Sequence, residues 1–336
     1  MPRAAALAHA LAGRLADPRL GGRVLVDIAD ATTGAALLRR AATTTAAPAS
    51  TAKLATAAAV LATHRPTDRL TTRVVAGATP GTVVLVGGGD PTLSAATGSA
   101  PGSTKEQPLY ADAARIADLA AALRGVHVTR VVVDTSLFTG PAVSPGWAAE
   151  DVPSDYAAPI TAAMVDGGRD TPGAATRGAA PAEAAGRALA TALGVPKAPV
   201  SQGIAPAGAR VLASVRSAPV GELVRQMLQA SDNVIAESLA RQVALAEHRP
   251  ATFAGAASAV REVVRGLGVD IGIGMRDGSG LAATDRISPE ILRAGYPVEH
   301  LMEGTSTEYR AERRRIIDRF YDVRPRVPGP TSRSRA

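Results

Sequence analysis

Residues 48–62, PASTAKLATAAAVLA, impose the tightest constraint on the fold. Pro48 and Ser50 mark a helix start, and the Ala/Leu run to Ala62 is made of strong helix formers. Beyond Lys53 the run carries no charge on any side, and a helix apolar all round is stable only where other elements cover it. The chain must therefore assemble a substantial core around this helix. With 336 residues and 46% hydrophobic content it has the means, the length being a prior for about two domains.

The polar groups of that helix gather at its beginning. Ser50 and Lys53 are three residues apart, so on one helical turn they face the same way and the hydroxyl and amine come within hydrogen-bond reach. Burial disfavours an ammonium and leaves an amine able to take the serine proton, while a helix N-terminus favours a developing oxyanion. The alternative reading of the same four residues is structural: Ser50 as a helix N-cap and Lys53 as a solvated first-turn side chain.

Other chemistries find less support. Zero Cys removes disulfides, thiolate nucleophiles and Cys-ligated metal sites. The five His (His9, His64, His127, His248 and His300) are far apart, and none forms a His-Glu-x-x-His pair, so no metal site is expected. Gly87-Gly88-Gly89 and Gly272-x-Gly274 lack phosphate-cradle spacing and are read as turns needing positive φ. There is no Gly-x-Ser-x-Gly elbow. The net charge of +7 suggests a polyanionic partner, but only three of the 37 basic residues are Lys and there are nine aromatics, so a nucleic-acid groove is not expected. No apolar run is long enough for a membrane span.

Along the chain, MPRAAALAHALAGRLADPRLGG reads as a surface helix with Leu7, Leu11 and Leu15 on one face, not as an export signal. RVLVDIAD (23–30), a turn at Ala31 to Gly34 and a return over Ala35 to Arg39 predict a hairpin. Strands are predicted at 71–77, in TVVLVGGGD and over 127–134, helices over 110–124 and 181–193, and loops over 94–108 and 167–182. Helices resume from Pro219, with Leu223, Met227 and Leu228 on one face, then over 234–246 and 251–267; GVDIGIGMRDGSG is read as strand and turn.

Directly after the first of these late helices comes Ser231-Asp232-Asn233, and Ser-x-x-Lys followed by Ser-Asp-Asn is a recognised pairing of penicillin-binding proteins and β-lactamases. Together with VLVGGGDPTL (84–93), the stretch from VVVDTSLFTGP through Trp147 to DVPSDYAAPITAAMVDGGR (131–169), SDNVIAESLAR (231–241) and DGSGLAATDRISPE (277–290), it makes the chain resemble the D-alanyl-D-alanine carboxypeptidases/endopeptidases of serine peptidase family S13, in a high-Ala, Arg-over-Lys actinobacterial version. The resemblance covers about residues 10–292. It implies an α/β (α+β) serine penicillin-binding fold of β-lactamase/transpeptidase type, with a discontinuous catalytic domain from 1–70 and 206–292. Accessory domains at 71–205 would account for the 181-residue separation of Ser50 from Ser231. It implies Ser50 as acylated nucleophile, Lys53 as general base, Ser231 as proton relay to the leaving D-alanine, Asn233 as substrate-binding amide and the Ser50 N–H as an oxyanion donor. Asp90 and Asp277 are expected to be turn or cap carboxylates as readily as catalytic ones. No cofactor is implied. The implied partners are peptidoglycan peptides and β-lactam antibiotics, and the implied location is extracytoplasmic.

One family element is missing from the sequence. No Lys lies beyond Lys197, so no Lys-Thr-Gly follows Ser-Asp-Asn. Composition changes near the same place: residues 291–336 hold 10 basic and 6 acidic side chains, four of the nine aromatics and only 3 Ala, against 69 Ala before them. Residues 293–336 are expected to be a non-family basic tail, with an amphipathic helix at 307–322, in a truncated or frame-shifted product of impaired turnover. The competing expectation is a non-catalytic penicillin- or peptidoglycan-binding remnant.

Overall fold

The computed structural model describes residues 3–30, 33–96, 108–171 and 173–294; the tail expected at 293–336, with its helix at 307–322, lies almost wholly outside the described residues. Helix α1 (Ala4–Leu15) buries none of its residues and precedes an antiparallel hairpin of β1 (Val26–Ala29) and β2 (Ala36–Arg40), paired in the register Asp27 to Arg39 and Ile28 to Leu38. A short 3-10 turn, Ala49–Ala52, leads into α2 (Lys53–Thr63). Then follow β3 (Thr71–Ala76), β4 (Thr82–Val86), α3 (Ile116–Ala122), β5 (Arg130–Asp134), α4 (Pro181–Ala192), β6 (Val200–Gln202) and β7 (Val211–Arg216). Four helices close the described chain: α5 (Val220–Ala230), α6 (Asn233–Ala246), α7 (Phe253–Gly266) and α8 (Pro289–Ala294).

The apolar helix α2 is covered as its sequence requires. It packs against α5, α6 and α7, and Ala55, Ala59 and Val60 are fully enclosed with Leu223, Leu239 and Val260. Its alanines keep the contact surface shallow, so neighbouring helix backbones approach closely. Helix α6 is the centre of this group, every residue from Asn233 to Ala244 being buried.

Between α2 and α5 the chain builds a five-stranded mixed sheet in the order β6-β5-β4-β3-β7. Strands β4, β5 and β6 are parallel, which requires crossovers; α3 and α4 supply them and cover Val83, Leu85 and Val131 with Ile116, Leu119 and Leu189. A third apolar cluster joins this region to the helices: Phe138, Trp147 and Met164 pack with Val234, Phe253 and Ala282. The Trp147 and Phe253 rings meet edge to face with centroids 5.1 Å apart.

The local structure departs from expectation in three places. The helix expected over 110–124 exists only as α3, because the backbone at 114–116 pairs with Ser94: Ser94 N–H donates to Ala114 O at 2.7 Å and Ile116 N–H to Ser94 O at 2.9 Å. GVDIGIGMRDGSG forms turns and no strand; Gly274 lies where a Cβ would be 1.9 Å from Arg286 O, and Gly272 and Gly280 have positive φ. Of the Gly87-Gly88-Gly89 run only Gly89 has positive φ, while Gly87 and Gly88 press against the backbones of Ala162 and Thr71. Close backbone approach is thus the reason for two of those three glycines.

Candidate active site

Four residues singled out from sequence meet at the junction of the 3-10 turn with α2 and the start of α6. Lys53 Nζ donates to Ser50 Oγ at 3.0 Å, to Asn233 Oδ1 at 2.6 Å and to the backbone O of Ser279 at 2.9 Å. An ammonium has three donors, and all are used. Ser231 Oγ donates to Ser50 Oγ at 2.8 Å, and Asn233 Nδ2 donates to the backbone O of Tyr156 at 3.2 Å. Ser50 and Ser231 are exposed, whereas Lys53 is 1% exposed and Asn233 8%.

Ser50 does not cap α2. The N-cap of that helix is Ala52, without a side-chain hydrogen bond, so the Ser50 hydroxyl is left to the lysine and to Ser231. Burial pushes the Lys53 amine down to about 8, against the opposite pull of Glu237, Asp277 and Asp232. A neutral Lys53 has a lone pair aimed at the Ser50 hydroxyl, and a proton can then pass from Oγ to Nζ without either atom moving far. The arrangement can therefore generate an exposed serine nucleophile beside a shielded base.

The loop Asp277-Gly278-Ser279-Gly280-Leu281 lies in the groove between α2 and α6 and supplies one of the lysine's three acceptors. Thr56 Oγ1 donates to Gly278 O at 2.6 Å. A Cβ at Gly278 would be 2.5 Å from Ala240 Cβ, and one at Gly280 would be 1.9 Å from Ala49 O. Asp277 accepts from the N–H of Gly280 at 2.6 Å and of Ala282 at 2.8 Å, and from Trp147 Nε1 at 2.7 Å. It is a turn carboxylate, as Asp90 is toward Thr92.

Glu237, one turn beyond Asn233 on α6, completes the floor. Its Oε1 accepts from Gly278 N at 3.0 Å and Ser279 N at 2.8 Å, and its Oε2 faces Arg241 at 3.6 Å. Burial and the neighbouring Asp277 push this carboxyl up to about 8. Arg241 is itself enclosed, its guanidinium 4.0 Å from the centre of the Phe253 ring. The i, i+4, i+8 spacing of Asn233, Glu237 and Arg241 was a readable signal that all three share one face.

Asp232, between the two polar residues of its motif, caps α6 through Oδ1, which accepts from Val234 N and Ile235 N. Its Oδ2 accepts from Tyr110 OH at 2.8 Å and Arg177 Nη2 at 3.0 Å. Burial alone would raise this carboxyl, but the Arg177 guanidinium and these hydrogen bonds hold it below the usual carboxylate range. Ser231 before it is left-handed (φ 53°, ψ 37°), a conformation that costs a non-glycine residue about 1–2 kcal/mol.

The family model for the D-Ala-D-Ala carboxypeptidase 3 (S13) family matches residues 7–176 and 169–295. A carboxypeptidase of Mycobacterium tuberculosis is 46% identical over 300 residues, 87% of this chain and 64% of that protein. Carboxypeptidase DacB of Mycolicibacterium smegmatis is 46% identical over 296 residues, 85% of this chain and 62% of that protein. The chain thus spans just under two thirds of the length of either relative. The crystal structure of penicillin binding protein 4 (DacB) from Haemophilus influenzae shares the fold, with a TM-score of 0.68 at 20% identity over 90% of this chain and 81% of that one. The same protein has been crystallised with a β-lactam, and that structure superposes with a TM-score of 0.60 at 19% identity over 96% of this chain and 80% of that one.

Proposed function

The chain belongs to the D-Ala-D-Ala carboxypeptidase 3 (S13) family, and from that premise we propose that it is a serine D-Ala-D-Ala carboxypeptidase/endopeptidase acting on peptidoglycan stem peptides through an acyl-Ser50 intermediate. The observation that carries the proposal is the buried Lys53 amine, 3.0 Å from the hydroxyl of an exposed Ser50. Lys53 takes the Ser50 proton as Oγ bonds to the carbonyl carbon of the penultimate D-alanine, and the Ser50 N–H stabilises the oxyanion. Collapse breaks the C–N bond, and the leaving amine collects a proton relayed through Ser231. Water then hydrolyses the ester. Asn233 holds Lys53 with its Oδ1, and its Nδ2, now on Tyr156 O, is the group that would turn to the substrate's peptide carbonyl.

β-Lactams acylate the same serine in this reading, and the site lies outside the cytoplasmic membrane. Among the described residues no helix is long and apolar enough to cross a membrane. The peptidase domain, expected from 1–70 and 206–292, encloses an inserted unit in this reading. The pairing of β7 with β3 supports carrying the border of that unit from 205 on to Arg216.

A competing reading keeps penicillin or peptidoglycan binding at this site without turnover. Labelling with a fluorescent penicillin, lost in Ser50→Ala, together with measurable D-alanine release supports the enzyme. Peptidoglycan binding without labelling or release supports a binding role.

A further inference from the structure

Two buried side chains from the region between α2 and α5 converge on the Ser231-Asp232-Asn233 turn, although neither hydrogen-bonds to Ser50 or Lys53. Arg177 is 7% exposed and Tyr110 8%. Both donate to the same Asp232 oxygen, Arg177 Nη2 at 3.0 Å and Tyr110 OH at 2.8 Å. The pair is anchored from behind. Arg177 Nη1 donates to Gly167 O, Arg169 Nη1 donates to Tyr110 OH at 3.1 Å, and the Arg177 backbone N–H donates to Ser154 O at 3.1 Å. Gly167 leaves the room for it: a Cβ there would be 2.2 Å from Tyr110 OH and 2.6 Å from Arg177 Nη1.

Asp232 is flanked in sequence by the two groups that meet the nucleophile and the base. Ser231 Oγ reaches Ser50 Oγ, and Asn233 Oδ1 accepts from Lys53 Nζ. With Oδ1 committed to the first amides of α6 and Oδ2 to Arg177 and Tyr110, the carboxylate has no freedom to rotate. The left-handed backbone of Ser231 needs such an external hold. We propose that Arg177 and Tyr110 are positioning residues that fix Ser231 and Asn233 against Ser50 and Lys53 by clamping Asp232. The inference rests on the proposed acyl-Ser50 chemistry for its kinetic consequence and on geometry alone for the clamp.

The test compares the full chain with Tyr110→Phe, Arg177→Met, Arg177→Lys, Asp232→Asn and the double variant Arg177→Met/Asp232→Asn. Two quantities are read: the rate of Ser50 acylation by a fluorescent penicillin, and peptide-resolved hydrogen exchange of the amides of Val234 and Ile235. Tyr110→Phe keeps the ring and removes one hydrogen bond to a charged group; it is expected to slow acylation by about tenfold and to speed exchange at both amides. Arg177→Lys should retain more activity than Arg177→Met, and Arg177→Met should add less than about twofold once Asp232 is already Asn. Unchanged acylation and exchange in Tyr110→Phe overturn the clamp, as do losses from Arg177→Met and Asp232→Asn that simply multiply. If Arg177→Met does not fold, Tyr110→Phe decides. If the unsubstituted protein takes no label, the acyl-enzyme reading fails and the exchange comparison in Tyr110→Phe still decides the clamp.

Discussion

Raising the pH from about 6 to about 9 should accelerate acylation of Ser50 roughly ninetyfold and then stop accelerating. Burial holds the Lys53 amine at about 8 instead of 10.5. At pH 7 an amine at about 8 is unprotonated in roughly a tenth of the molecules, where an ordinary lysine is unprotonated in about one in 3,000. Burial thus supplies about 300-fold more of the reactive form, equivalent to about 3 kcal/mol. Below the plateau the rate should climb tenfold per pH unit, because only the neutral amine accepts the serine proton. The assay is stopped-flow acylation by a fluorescent penicillin from about pH 5.5 to 10, with Ser50→Ala as the unlabelled control. Its outcome depends on the shape of the profile and not on the absolute rate, so it can be read even if turnover is slow. A profile rising tenfold per unit through pH 9 and still climbing at pH 10, about a thousandfold between pH 6 and 9, would mean an unshifted lysine. A flat profile would remove Lys53 from the proton transfer altogether.

Three further outcomes are expected. Glu237 holds its proton to about 8 in the fold against 4.5 as a free side chain, so the folded state binds a proton that the unfolded chain releases between those values; stability is full below about pH 4.5 and declines as the pH rises through about 8. Glu237→Gln should flatten that decline in melting temperature over the same window, leaving the smaller contributions of Asp285, raised to about 7, and Asp90, raised to about 6. Gly280→Ala places a Cβ 1.9 Å from Ala49 O at φ 78°, and should cost on the order of 3 kcal/mol or more by denaturant unfolding and abolish labelling of Ser50. Trp147→Phe leaves the edge-to-face packing but removes the Nε1 donor to Asp277; a loss of about 1.5–3 kcal/mol is expected, and an unchanged unfolding midpoint would show that the bond contributes nothing.

Legibility of the site followed the range of the interactions that build it. Ser50 and Lys53 could be paired on paper because three residues of helical turn separate them, and the hairpin of β1 and β2 because alternation is a property of neighbours. The groups that surround the pair are distant: Glu237 is 184 residues from Lys53, and the Ser279 carbonyl 226. Glu237 still left a trace in its four-residue spacing from Asn233. Arg177 left none, since its loop is rich in Gly, Thr and Pro and its partner Asp232 lies 55 residues on. The error at 110–115 has the same origin. An amphipathic pattern was present there, but backbone pairing with Ser94 and the demand of Asp232 for the Tyr110 hydroxyl fixed the chain outside helical geometry.

The apolar seam formed by Phe138, Trp147 and Met164 against Val234, Phe253 and Ala282 has an evolutionary corollary. Trp147 from one side of it ties down Asp277 on the other, so the segment between α2 and α5 is not an interchangeable cassette. A chimera that exchanged it for a foreign domain would have to bring its own indole donor and its own apolar surface of the same contour. A substitution on one side of this seam is therefore expected to need a matching one on the other.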